Sequence, residues 1–256
     1  MPIDFHSEVN RLTYTQRRAG SEWAEAIRSV LAPEGLRVAD VGCGGGVYCM
    51  GWLDLGAASV VGVDFSAAMI SAAREHCAGR DGLTFRHGSA YETGLADGSA
   101  DVVFERALVH HLDDLEAAFR EAGRVLAHGG TLIVQDRTVE DVRRPGSEAH
   151  LRGWFFECFP YLLDVEAARR PSAVRVEAAM RAAGFGGVRT LELAETRREY
   201  ADPEEVRADL LARTGRSILH ELTDGQLTEL ADCVTARLPE GPVRESDHWT
   251  CWAATV

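Results

Sequence analysis

Val38–Gly46, VADVGCGGG, and Val60–Ser66, VVGVDFS, decide how this sequence is read. The first is an apolar run that breaks into a glycine-rich loop before a further apolar segment. That arrangement brings backbone close to a bound ligand. The second ends on Asp64, at the tip of the next expected strand, where a carboxylate can accept hydrogen bonds from both hydroxyls of a ribose. Together they predict a nucleoside-bearing cofactor seated on an α/β sheet.

The spacing of the glycines narrows the cofactor. Gly42, Gly44, Gly45 and Gly46 do not complete G-x-G-x-x-G, because Val47 stands at the third position. Asp40, two residues before the first glycine, would repel a pyrophosphate. It suits the ammonium and sulfonium of a methionine moiety. The D-x-G-x-G-x-G pattern of Asp40, Gly42, Gly44 and Gly46 resembles the first motif of the class I S-adenosylmethionine-dependent methyltransferases, and within them the small-molecule enzymes of type 11.

Working outward, apolar runs alternate with helical patterns. Strands are expected at Leu36–Val41, Ser59–Asp64, Leu83–His87, Asp101–Glu105 and Thr131–Asp136. Helices are expected from a Ser21 cap through Trp23 and Ile27, over Val47–Leu55, from a Ser66 cap to about Cys77, and along Leu115, Phe119 and Leu126 to a stop at Gly129 and Gly130. Five such alternations predict a doubly wound, mostly parallel sheet. A helix over Ser172–Ala183 and strands at Val188–Tyr200 and His248–Val256 resemble the antiparallel finish of a seven-stranded Rossmann-like methyltransferase sheet. Residues 143–170, rich in arginine and aromatics, and a helical insertion at 201–245 predict a cap. Within the insertion, Asp202 with Pro203 starts one helix, and Thr223 with Gln226 forms a capping box at another. The expected organisation is an N-terminal cap segment over 1–35, a core over 36–200 and 246–256, and the 201–245 insertion.

The resemblance implies a division of labour. Asp40, Gly42, Cys43 and Gly44 would hold the methionine end, Asp64 the ribose, and Phe65 and Met69 the adenine. Where the family often has an Asp after a glycine, this chain reads Gly88-Ser89-Ala90. Ser89 and the Ala90 N–H are then the adenine contacts. Glu105 would meet the sulfonium side through its backbone carbonyl, and Tyr14 would close over the cofactor. His110 and His111 are the general-base candidates, because imidazole titrates near neutrality, and His110 is preferred. His110 also faces the acceptor, with Asp136, Arg137, Trp154 and Phe155. Arg143, Arg144 and Arg152 are candidate carboxylate or phosphate ligands, with at least two of them expected in solvent. Adjacent histidines point different ways and no second cluster stands at ligand spacing, so no metal is expected.

Composition bounds the rest. The 256 residues are 46% hydrophobic with a formal charge of −13, which argues against a protein that wraps nucleic-acid backbone. All basic residues are arginine, so no lysine base or Schiff base is available. Six cysteines without framework spacing and an N-terminus without an apolar signal predict free thiols, a soluble cytoplasmic protein and no membrane partner. A homodimer is compatible with the sequence. The leading expectation is a methyltransferase for a small-molecule acceptor. A protein or RNA methyltransferase, or a non-catalytic S-adenosylmethionine-binding subunit, are the alternatives.

Overall fold

The computed structural model describes residues 19–256. In chain order its elements are α1 (Ser21–Val30), β1 (Arg37–Val41), α2 (Val47–Asp54), β2 (Ser59–Asp64), α3 (Ala67–His76), β3 (Leu83–His87), β4 (Ala100–Arg106), α4 (Leu115–Val125) and β5 (Leu126–Asp136). They continue with α5 (Val139–Val142), α6 (Leu151–Cys158), α7 (Tyr161–Arg169), α8 (Ala173–Ala182), β6 (Gly186–Tyr200), α9 (Pro203–Leu211), α10 (Asp224–Thr235) and β7 (Val243–Thr255). The seven strands form one sheet in the order β3-β2-β1-β4-β5-β7-β6, with β7 antiparallel to both neighbours and the other pairings parallel.

Strand alternation sorts the sheet residues onto two faces. Ala39, Val41, Val103, Leu132 and Val134 pack with Phe119 of α4 and Met180 of α8. Val38, Val102, Phe104 and Ile133 pack with Trp23 of α1 and Trp52 of α2. Strands buried on both sides in this way need the near-continuous apolar runs the sequence has. The order reverses between β1 and β4, and in open α/β sheets the ligand crevice lies beyond the carboxyl ends of strands at such a switch. The strand ends on that side carry Asp40, Asp64, Arg106 and Asp136.

Local chemistry sets the element ends. Ser66 accepts from the Met69 N–H, Asp202 from Glu205, and Thr223 with Gln226 completes both halves of a capping box. Three expectations are corrected. Gly20, not Ser21, precedes the first helical residue of α1. That helix packs on a sheet face rather than in a cap. The helix expected to run to Gly129 ends at Val125, because Leu126 already pairs with Ala100. The register slips before Thr131 meets Val102, so β5 absorbs both glycines.

The cap has its own interior. Val142, Leu151, Phe155 and Leu162 share one apolar cluster with Val206, Leu210, Ile218, Leu227 and Leu230. At its base Arg216, wholly buried, donates to Glu245 at 2.6 Å and to Asp209. Removing one partner leaves an uncompensated buried charge, so Glu245→Ala is expected to cost about 3–5 kcal/mol. Chemical denaturation measures it, and a change under about 1 kcal/mol would contradict the assignment. The expectation of unpaired thiols is also corrected. Cys158 of α6 and Cys233 of α10 are joined by a disulfide, while Cys43, Cys49, Cys77 and Cys251 are free and buried. Fold proximity across 75 residues, invisible in spacing, pairs them. The compartment inferred from free thiols loses that premise. Among the described residues no helix is long and apolar enough to cross a membrane.

Candidate active site

A cavity of about 600 Å³ opens at the switch point, walled by strand ends and by the cap. Asp40, Gly42, Cys43, Gly44, Asp64, Phe65, Met69, Ser89 and Ala90 line one part of it, and His110, His111 and Arg137 another. Tyr14 lies outside the described residues.

The glycine loop is shaped by backbone. Gly44 has φ +50°, and nothing lies within 4 Å of where its Cβ would be, which leaves open space against the chain. The Asp64 carboxylate is pinned from two sides, accepting from Gly44 N and Ser66 N at 2.9 Å each. Asp40 is 2% exposed and accepts from the Cys49 thiol. Burial pushes its pKa up to about 7, the Cys49 contact opposes that, and Asp64 adds to it. A buried carboxyl so placed favours a cation beside it. Ser89 accepts from Tyr91 N and Glu92 N. Its hydroxyl is therefore left as a donor for a ring nitrogen, not an acceptor for an exocyclic amine.

The second part is built around His110. Its Nδ1 lies 2.8 Å from Asp136 Oδ2, and its backbone N–H donates to the same oxygen. Asp136 is wholly buried. Burial alone would raise its pKa, but His110, the Arg170 guanidinium at 3.0 Å and the Arg137 N–H hold it far below the usual carboxylate range. Burial in turn lowers the His110 pKa below 6.5 despite Asp136. The imidazole is therefore neutral at pH 7, with Nδ1–H directed at Asp136. The other nitrogen, Nε2, has no partner among the described residues and keeps its lone pair. The His111 ring lies against the His110 ring, centroids 3.9 Å apart and tilted by 41°, and is exposed to solvent.

Several expected site residues are placed elsewhere. Asp136 is behind His110, not on the cavity wall. Glu105 alternates to the same sheet face, buried near Asp136. Burial and that charge raise its pKa to about 8, so it is mostly protonated at neutral pH. Trp154 and Phe155 belong to the apolar interior of the cap, not to the cavity. Arg143 is exposed, and Arg144 pairs with Glu192, so both leave the site.

Sequence reasoning missed other lining groups. Arg106 ends β4, bonds Glu195 at 2.6 Å, and lies over the rings of Tyr48 and Trp249 at 4.2 and 4.1 Å. Ala107 follows with φ +51°, a strained conformation for a residue with a Cβ, held by its N–H to Gln135 O. Arg169 and Arg170 enter from the cap. The strand-end position of Arg106 was a usable signal; nothing local announced Trp249 or Arg170.

The sheet order and the cavity at its switch point are those of the Rossmann-like methyltransferase fold. Residues 39–134 match the methyltransferase domain family of type 11. Curated relatives include the ubiquinone biosynthesis O-methyltransferases of Chelativorans, 33% identical over 126 residues, and of Mesorhizobium japonicum, 32% over 125. Those alignments cover 48% of this chain and 49% and 50% of theirs. The chain thus spans about half the length of the curated relatives it matches. Among solved structures, an S-adenosylmethionine-dependent methyltransferase from Mesorhizobium loti superposes with TM-score 0.54 at 21% identity, over 93% of this chain and 98% of that one. Phosphoethanolamine N-methyltransferase 2 of Haemonchus contortus, solved with S-adenosylmethionine, gives 0.62 at 18%, over 99% and 60%. Residues 39–134 thus match a methyltransferase domain, and the fold is shared with solved methyltransferases, one of them holding S-adenosylmethionine as its cofactor.

The residues present fit that cofactor. The open space at Gly44 admits a ligand against backbone, the pinned Asp64 carboxylate matches a diol, and the buried Asp40 carboxyl matches a cation.

Proposed function

We propose that the protein transfers a methyl group to an oxygen of a small-molecule acceptor. The observation that carries this reading is the His110–Asp136 pair on a cavity roofed by the cap. A hydroxyl acceptor brings a proton that must leave as the new bond forms, and a neutral imidazole held in one tautomer is suited to take it. S-adenosylmethionine supplies a methyl carbon on a positively charged sulfur, which keeps the bonding pair as a thioether when displaced. The chain does the rest. Asp40 and the Gly42–Gly44 loop hold the methionine end, with Cys43 packed beside it. Asp64 fixes the ribose, Phe65 and Met69 flank the adenine, and Ser89 and the Ala90 N–H bond its edge. His110 Nε2 accepts the acceptor proton while Asp136 positions the ring. The names of the curated O-methyltransferase relatives support oxygen as the acceptor atom. The cap favours a small acceptor over a protein or RNA strand. The base pair favours catalysis over a non-catalytic cofactor-binding role.

The test is formation of S-adenosylhomocysteine, followed by mass spectrometry, with a panel of phenolic and aliphatic hydroxyl compounds. A methylated oxygen product is expected. Methylation of nitrogen or of a macromolecule in preference would overturn the acceptor reading.

The Asp40 placement predicts a pH dependence for cofactor binding. Asp40 must be ionised to hold the ammonium, and its pKa before binding is about 7. Affinity is therefore present above that value and lost as pH falls through it. Calorimetry should find binding about tenfold weaker near pH 6 than near pH 8, with the dependence abolished in Asp40→Asn. A pH-independent wild type would remove Asp40 from that role.

A further inference from the structure

The acceptor part of the cavity is cationic to an unusual degree. Arg106, Arg137, Arg152, Arg169 and Arg170 all line it. Among the described residues they share four carboxylates. Arg106 pairs with Glu195, Arg137 with Asp247 at 2.7 Å, and Arg170 with Asp136 and Glu166. Arg169 approaches Glu166 at 3.5 Å. Five guanidiniums over four carboxylates leave one positive charge in excess.

That excess falls on Arg152. Its side chain is 6% exposed and comes within 3.9 Å of Glu166 and 3.9 Å of Asp247, both beyond hydrogen-bond reach. Its wholly shielded Nε has no hydrogen-bond partner among the described residues. Burial also lowers the Arg152 pKa, and that of Arg137 to about 10, with Arg152 adding repulsion on Arg137. A buried guanidinium whose Nε has no bond is costly, and an anion in the cavity that bonds the guanidinium's remaining nitrogens offsets that cost.

The geometry points to an acceptor that carries a carboxylate, held by Arg152 with Arg137 beside it, in the cavity that His110 faces. This rests on the methyl-transfer reading of the cavity and adds the class of substrate. One uncompensated charge matches a monoanion, and the planar guanidinium matches a carboxylate through two parallel N–H···O bonds. A phosphate monoester would bring a second negative charge that no described cation awaits. Leu108, Leu112 and Trp249 on the same walls suit an apolar body attached to the carboxylate.

The test uses protein loaded with S-adenosylhomocysteine, titrated calorimetrically with benzoate and with benzamide, its neutral isostere. Wild type is expected to bind benzoate about tenfold or more tighter than benzamide. Arg152→Met should bring the two within about threefold while S-adenosylhomocysteine affinity is unchanged. Equal binding of the pair, no binding of benzoate, or a preference that survives in Arg152→Met would overturn the proposal. The wild-type comparison stands even if that variant does not fold. Phenyl phosphate binding more tightly than benzoate would overturn the carboxylate assignment. Loss of S-adenosylhomocysteine binding with the benzoate preference intact would remove the methyl-transfer reading and leave the anion site standing.

Discussion

Replacing Asp64 with alanine is expected to weaken S-adenosylmethionine binding by about 3 kcal/mol, roughly 100-fold. Two effects add. The ribose diol loses a charged acceptor, and charge-assisted hydrogen bonds are the strong ones. The loop also loses its tether, because Asp64 accepts from Gly44 on one side and Ser66 on the other. Gly44, held in the left-handed region, is then freed to sample other conformations. Asp136→Ala is the contrast. Asp136 lies behind His110 and off the cavity wall, so cofactor affinity should stay within about threefold of wild type. Calorimetry with both variants decides the matter. Equal losses would mean that Asp64 acts only through general stability.

The second large effect concerns the proton. His110→Ala is expected to lower kcat about 1,000-fold with little change in the KM for S-adenosylmethionine. Asp136→Asn should lower kcat less and change the pH profile, since an amide can present its NH2 to Nδ1 and reverse the tautomer. In wild type a general base must be unprotonated, so activity falls as pH drops through the His110 pKa. Burial places that value below 6.5, and the acid limb should lie there. His111→Ala, at the exposed neighbour, should retain most activity. A His110→Ala enzyme with wild-type kcat would show that transfer needs alignment alone.

The parts legible in the sequence are those governed by short-range rules. The break from apolar strand to glycine at Val41–Gly42, the acidic tip at Asp64, and the caps at Ser66, Asp202 and Thr223 each depend on a few adjacent residues. Their structural places match those expectations. What could not be read depends on contacts between distant segments. Trp154 and Phe155 are apolar residues on a short helix that can bury them against a cavity or against other helices; they pack with Val206, Leu210, Leu227 and Leu230 of the 201–245 segment. Asp136 was expected to touch the acceptor because it ends a strand. Side-chain alternation turns it under His110 instead, with its carboxylate against Nδ1. Arg106 and Trp249 meet across the sheet, and Cys158 and Cys233 across the cap, with no local pattern to announce either pairing.

In the proposed reaction one cavity holds S-adenosylmethionine along Asp40 and Asp64 and presents its methyl carbon toward His110. A crystal structure with S-adenosylhomocysteine tests it most directly. Ribose hydroxyls are expected within hydrogen-bond distance of both Asp64 oxygens, the amino group beside Asp40, and the thioether sulfur facing the space between the loop and His110 Nε2. A cofactor bound with its ribose away from Asp64, or with its sulfur turned from the His110 side of the cavity, would contradict it.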